Sequence, residues 1–468
     1  MRPIRRWLGL LIITPLVLTG CFGGGTTPTP TDSTEPAANT IEIWRPFESE
    51  EVFNPILASM EASNEGLDLV YRQIPIEEYD LRINEALASE AGPDIISIPS
   101  DALDRYKDRL VPAPEGVIPS NTRTAVTTNT DALAAFFAPV VRQDVMRDDQ
   151  IYGLPLYVDT LAIYVNPALV RARAQQFDRA ERREEAEFLK SFGFNTYDRL
   201  ITAIELLTER RTDGSFEVAG LAAGTSSNVR AAADIVSAMM LQNGTQMLAP
   251  DDQNATFHLA IDGPAGAKIF RGTEALTRYT SFADPANSFY TWNASMPDDV
   301  QAFLDGKVAM IFGYQYYELL FRQLAPTFSY AVVPFPQIAD TERPVDYGSY
   351  WVEVVTKSAE NPGLTWGVLA KLGGDFNQSF LDSTGRPSPR PTTDAIPSTI
   401  GRASETKSPF SYQPQTATSW RKGKRPDRVD NLFRDMIRRV SQDGEPAQTA
   451  IEATAKLVTE QSLQTEWP

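Results

Sequence analysis

The stretch YGLPLYVDTLAIYVN, residues 152–166, decides how this chain is read. Its second half, 160–165, is an apolar run with β-branched and aromatic members, a pattern that favours a buried strand over a helix of that length. Its first half carries Gly153 and Pro155, which punctuate the backbone. Between them lie Tyr157 and Asp159, a ring and a carboxylate at the entrance to a core strand. The segment reads as a hinge between two lobes and as the first wall of a cleft.

Working outward to the N-terminal side, the pattern is strand 41–44, helix 50–63, strand 67–74, helix 77–90 and strand 95–98. The first helix puts Val52, Phe53, Ile56, Leu57 and Met60 on one face, and the second turns Tyr79, Ile83, Ala86 and Leu87 inward. Strand 95–98 is apolar throughout and suits a central parallel position. This β-α-β-α-β order begins an open α/β sheet. In such sheets ligands bind beyond the carboxyl ends of the strands. Trp44, Arg45 and Phe47 follow the first strand, and Ser100 and Asp101 follow the third.

On the C-terminal side, 170–189 is highly charged and reads as one exposed helix. Asn195 or Thr196 caps the next helix, whose face is Tyr197, Leu200, Ile201, Ile204 and Leu207. Strand 219–222 ends in the small-residue loop 224–228, closed by Asn228 at the start of helix 229–242. A helix is expected over 265–279, a loop around Trp292, and a strand over 306–312 followed by Tyr314 and Gln315. Strand 328–333 leads to a second passage between lobes, and 347–355 is a loop with Tyr350 and Trp351 that enters a strand. Helix 364–372 precedes a Pro-rich loop, 384–397, and 429–460 is helical.

The chain carries 43 Lys+Arg against 61 Asp+Glu, a balance that disfavours nucleic acid and anionic membrane surfaces as partners. The basic run 421–425 goes against the trend and reads as a solvated face. One histidine, His258, and one cysteine, Cys21, leave no metal site, disulfide or thiol chemistry to expect in the folded body, and no cofactor is implied. Residues 1–20 have a basic start and a short apolar run, as a signal segment does. They end in Leu18, Thr19 and Gly20 before Cys21, which resembles a bacterial lipobox with Cys21 as the lipidated residue. Residues 21–39 are rich in Gly, Thr and Pro and read as a disordered tether, reaching at most about 55 Å when extended.

Taken in order, several segments resemble the extracellular solute-binding lipoproteins of ABC importers, family 1, the sugar-binding, maltose-binding-protein-like class. They are the lipobox, strand 93–98 with Pro99 and Ser100, then Gly153, Leu154 and Pro155 followed by 159–161 and 164–166. Further on come 241–244, Trp292 with Asn293, Phe303 with 306–310, and 384–387. The resemblance covers nearly all of residues 40–463. It implies an α/β fold of two discontinuous lobes, periplasmic-binding-protein type II. Lobe 1 would hold 40–154 plus 334–373, and lobe 2 would hold 155–333 plus 374–468. The crossings would fall near 153–155, 327–334 and 373–376.

The resemblance also implies a function. The protein would be a lipid-anchored, extracytoplasmic monomer at the cell membrane that binds a sugar and delivers it to a permease, without catalysis. Ligand contacts would fall on Trp44, Arg45, Phe47, Ser100, Asp101, Tyr157, Asp159, Asn228, Trp292, Tyr314, Gln315, Tyr350 and Trp351, with Asp159 hydrogen-bonding sugar hydroxyls. Two alternatives stand beside it. One is a surface-anchored glycoside hydrolase using Asp101 and Asp159; the other is a binding protein for a different polar solute.

Overall fold

The computed structural model describes residues 39–89, 92–119, 128–391 and 408–464. The signal segment and the tether with Cys21 lie outside the described residues, apart from Asn39. Among the described residues no helix is long and apolar enough to cross a membrane.

Two five-stranded sheets organise the molecule. In the first, the order is Leu67–Gln73, Asn39–Arg45, Ile95–Pro99, Trp351–Val355 and Gly153–Pro155. The first three run parallel, Ile43 opposite Ile95 and Thr40 opposite Asp68. Trp351–Val355 runs antiparallel to both its neighbours, so Ile95–Pro99 is central in a mixed rather than a purely parallel sheet. In the second sheet the order is Ala331–Pro334, Ala162–Val165, Val308–Gly313, Phe216–Ala222 and Glu209–Arg210. All four residues of Ala162–Val165 and all six of Val308–Gly313 are buried, which is why they read as unbroken apolar runs. Helix Glu50–Ala62 buries Phe53, Ile56, Leu57 and Met60, the expected stripe.

Each sheet has its own apolar core, and the cores show where the chain passes between lobes. Leu154, Leu156, Tyr157 and Val158 pack in the first core, and Leu161 is the first residue of this stretch to pack in the second. The passage is therefore at 158–161, a few residues later than expected from Gly153 and Pro155. Phe335 and Tyr347 are still in the second core and Tyr350 is in the first, so the next passage is at 347–350 rather than 327–334. At 373–376, the expected third crossing, the chain only turns from the helix Pro362–Gly373 into the helix Asn377–Thr384, and both pack in the first core.

Adjacent passages hydrogen-bond to each other. Leu161 N donates to Tyr347 O at 3.1 Å, Ser349 N to Asp159 O at 3.0 Å, and Gly348 N to Thr418 O at 2.9 Å. Asp346–Tyr347 pairs in parallel with Ala417–Thr418. The hinge is thus a small sheet centred on Thr160, Gly348 and Thr418. Gln413 adds to it, donating to Thr160 Oγ1 at 2.9 Å and Leu161 O at 2.7 Å.

Three helical expectations are corrected. The charged segment is two helices, Pro167–Arg179 and Arg183–Lys190, broken where Glu181 takes a positive φ. The C-terminal segment is also two, Pro426–Ser441 and Ala447–Val458, separated by Gly444 at φ +73° and Pro446. The helix near 265–279 is only Arg271–Ser281, preceded by a short antiparallel pair of Ile261–Asp262 with Lys268–Ile269.

Candidate ligand-binding site

The strand Ile95–Pro99 ends in a tight turn, Ser100–Ala102, that presents Asp101 to the space between the lobes. There a cavity of about 470 Å³ opens between the two cores. From the first lobe it is lined by Tyr79, Asp101, Arg105 and Trp351; from the second by Asp234, Lys422, Asp427 and Asp430. Trp351 is half-buried and meets two rings edge-on, Phe47 at 5.0 Å and Tyr79 at 5.8 Å. Tyr79 is locked from behind, its hydroxyl donating to Ser97 O at 2.8 Å and accepting from Ser97 N at 2.9 Å. The aromatic wall therefore stands on a central strand of the first sheet.

The opposite wall is charged. Tyr314 Oη donates to Asp234 Oδ2 at 2.7 Å, fixing that carboxylate beside the cavity. Lys422 is 3% exposed, and its Nζ lies 2.7 Å from Asp430 Oδ1, 2.9 Å from Asp101 Oδ2 and 3.8 Å from Asp234 Oδ1. Burial opposes its charge, but Asp430, Tyr347, Asp101 and Asp234 more than offset that and hold its pKa well above the usual lysine range.

Of the residues expected at the site, Asp101 and Trp351 line this cavity, while Phe47 and Tyr314 support its walls. Several others are committed elsewhere. Arg45 is 0% exposed and ion-paired to Glu353 and to Glu48, at 2.7 Å from the latter, so it braces the first sheet. Trp44 Nε1 donates to Glu42 Oε1 at 2.9 Å, and Ser100 N to Tyr350 O at 2.9 Å. Tyr350 Oη donates to Asp144 Oδ2 at 2.6 Å within the first core. Asn228 donates to Asn293 O at 2.9 Å and Met296 O at 2.8 Å, which ties a loop, and Trp292 is fully buried in the second core.

Asp159 is 1% exposed and does not line the cavity. Its Oδ1 accepts from Thr160 N and Gln315 N, each at 2.9 Å, and its Oδ2 from Tyr316 N at 3.2 Å. Burial pushes its pKa up to about 6, against the lowering pull of those amides and of Arg386. Tyr157 is buried beneath the Arg386 guanidinium, 4.7 Å from its ring centre. Gln315 Nε2 donates across the lobes to Gly385 O at 2.9 Å. Around this point Glu48 Oε1, Gln315 Oε1 and Arg386 Nε are buried without a hydrogen bond among the described residues.

Reasoning from the sequence missed Tyr79, Arg105, Asp234, Asp430 and Lys422 as lining residues. Asp234 and Asp430 sit on the helices Ala232–Gln242 and Pro426–Ser441, and Lys422 lies in the basic run 421–425, which by composition reads as a solvated face. Only the contact of two sequence-distant segments brings them to Asp101.

Comparison with known structures gives the same architecture. The cyclic α-maltosyl-1,6-maltose binding protein of Arthrobacter globiformis superposes with a TM-score of 0.68 at 15% identity, over 90% of this chain and 98% of that one. The sugar-binding protein MalE of Xanthomonas citri gives 0.66 at 17% identity, over 90% and 96%. The maltose-binding protein MalE of Listeria monocytogenes, solved with maltose, gives 0.66 at 13% identity, over 92% and 99%. No curated protein matches by sequence. Residues 56–367 match the family described as bacterial extracellular solute-binding protein, and the chain belongs to that family.

Proposed function

We propose that this protein is the binding component of an ABC importer, capturing a sugar or oligosaccharide between its lobes and passing it to a membrane permease. The observation that carries this reading is the inter-lobe cavity, which is lined by the Trp351 ring together with the carboxylates of Asp101 and Asp234. Sugars need both surfaces, an aromatic face for C–H patches and carboxylates for hydroxyl donors. Five aspartates against Arg105 and Lys422 in the lining disfavour an anionic sugar.

In this reading the lobes are formed by the described residues of 39–158 with 349–391, and by 161–346 with 408–464, and they close about the hinge sheet as a monomer. Cys21 carries the lipid that holds the body at the extracytoplasmic face of the membrane. Binding proceeds without turnover, since Asp159, the carboxylate that a hydrolase would pair with Asp101, is already engaged by three backbone amides.

A thermal-shift screen over mono- and oligosaccharides, maltose included, tests the ligand class, because a ligand that binds only the folded state raises the melting temperature. Calorimetry on Trp351→Ala with the best binder is expected to show affinity lowered by about tenfold or more, equivalent to about 1.4 kcal/mol. A screen in which no sugar raises the melting temperature overturns the proposal.

A further inference from the structure

We infer that the inter-lobe cavity takes a sugar bearing a protonated amine in preference to its neutral counterpart. The inference rests on the cavity being a sugar site and names the class of sugar it takes. The cavity and its aromatic wall define the site; the charge that the lining presents decides the class. That lining holds five aspartates, Asp80, Asp101, Asp234, Asp427 and Asp430, against Arg105 and Lys422. The Lys422 side chain is 4% exposed, while those of Asp234, Asp101 and Asp430 around it are 21%, 25% and 41% exposed. The Arg105 side chain is 12% exposed and that of its partner Asp80, 3.1 Å away, is 62% exposed. A ligand entering the cavity therefore meets carboxylate oxygens, with the ammonium and the guanidinium largely covered. Asp427, exposed in the first turn of Pro426–Ser441, has no ion-pair partner among the described residues.

The surplus of carboxylates is present on each lobe by itself. On the second, Asp234, Asp427 and Asp430 stand with the single cation Lys422; on the first, Asp80 and Asp101 stand with Arg105. The surplus therefore does not depend on how far apart the lobes are, and closing on a ligand brings the two sets together. Like charges gathered in a partly desolvated space repel, and a ligand ammonium placed among them relieves that repulsion, whereas a neutral sugar does not. An ionised carboxylate only accepts hydrogen bonds, and an ammonium only donates them, three at once, where a hydroxyl donates one. With both partners charged, each such bond is roughly twice as strong as a neutral one. Trp351 adds a ring on the same cavity, and aromatic rings attract an ammonium placed over their face.

The test compares sugars that differ at one group. Calorimetry on the full chain at pH 6.5 takes glucosamine beside glucose and N-acetylglucosamine, then chitosan oligosaccharides beside cello-oligosaccharides of equal length. The expected result is an affinity for the amine about tenfold or more above that for the hydroxyl and acetamide counterparts, with the advantage shrinking as salt is raised. Asp430→Asn, and Asp427→Asn at an exposed position where folding is not at stake, should each lower the amine-to-hydroxyl affinity ratio by about threefold or more. Equal affinity for the neutral counterparts overturns the inference and leaves the sugar reading standing; no binding by any sugar, of either kind, overturns both. Spermidine binding as tightly as the best amino sugar also overturns it, since charge without a sugar ring would then suffice. An unchanged ratio in both folded variants does the same.

Discussion

Asp159→Ala deprives three backbone N–H groups of their acceptor at once, buried ones on Thr160 and Gln315 and a part-buried one on Tyr316. An unsatisfied buried donor costs about 1–3 kcal/mol, so the variant is expected to lose on the order of 3 kcal/mol or more of unfolding free energy. Denaturant titration checks this; a midpoint within error of the parent would show that the amides find other partners. The carboxylate was visible in the sequence because it sits between a Gly/Pro-punctuated segment and a buried strand. Its task was not visible, because residues 315 and 316 lie far along the chain. The same holds for Arg45, a cation at a strand end that has every appearance of a ligand contact until Glu353 arrives from a distant strand to neutralise it. Asp101 and Trp351 were legible for the complementary reason. Each lies at an end of a strand of the first sheet, and the cleft lies over those ends.

At the scale of elements, periodicity located the strands and helices whose environment is uniform along their length. Val308–Gly313 is buried throughout and Glu50–Ala62 has one clean stripe, so each follows from its own residues. Turn geometry decides the breaks at Glu181 and Gly444, where the backbone takes a positive φ, and periodicity carries no signal for it. Gly153 reads as part of the hinge in the sequence, yet it belongs to the edge strand Gly153–Pro155, against which Val354 packs. A Cβ there would come within 2.7 Å of Glu353 O and 2.9 Å of Val354 Cγ1. Gly153→Ala must therefore push that strand off its neighbour, and a loss of about 1–3 kcal/mol is expected. Hydrogen exchange would show it as faster exchange in Trp351–Val355 with the second sheet unchanged. Equal acceleration in Ala162–Val165 would mean that the two sheets do not respond separately.

For the whole molecule, the buried carboxylates set how stability varies with pH. Burial raises Asp144 and Asp346 to about 7 and Asp299 to about 6, alongside Asp159 at about 6. Each starts from 3.8 when unfolded, so between pH 4 and 7 the folded chain binds more protons than the unfolded one. Stability contributed by these groups is then fully present below pH 4 and is lost as pH rises through the folded values. His258, pushed down from 6.5 by burial, acts in the opposite sense, and Glu48, lowered from 4.5 against its burial by Arg45 and Arg386, adds a loss only at still lower pH. The four aspartates outnumber them, so the melting temperature is expected to be higher at pH 5.5 than at pH 8. Asp346 gives the sharpest check, since it accepts from Thr416 Oγ1 at 2.6 Å and Gln337 Nε2 at 3.2 Å with no cation paired to it among the described residues. At about 1.4 kcal/mol per unit, its share of the difference between pH 5.5 and 8 is on the order of 2 kcal/mol. Asp346→Asn should remove that share, narrowing the gap in unfolding free energy between the two pH values. A gap of unchanged size would mean that Asp346 titrates alike in the folded and unfolded chain, which its place beside the hinge strand argues against.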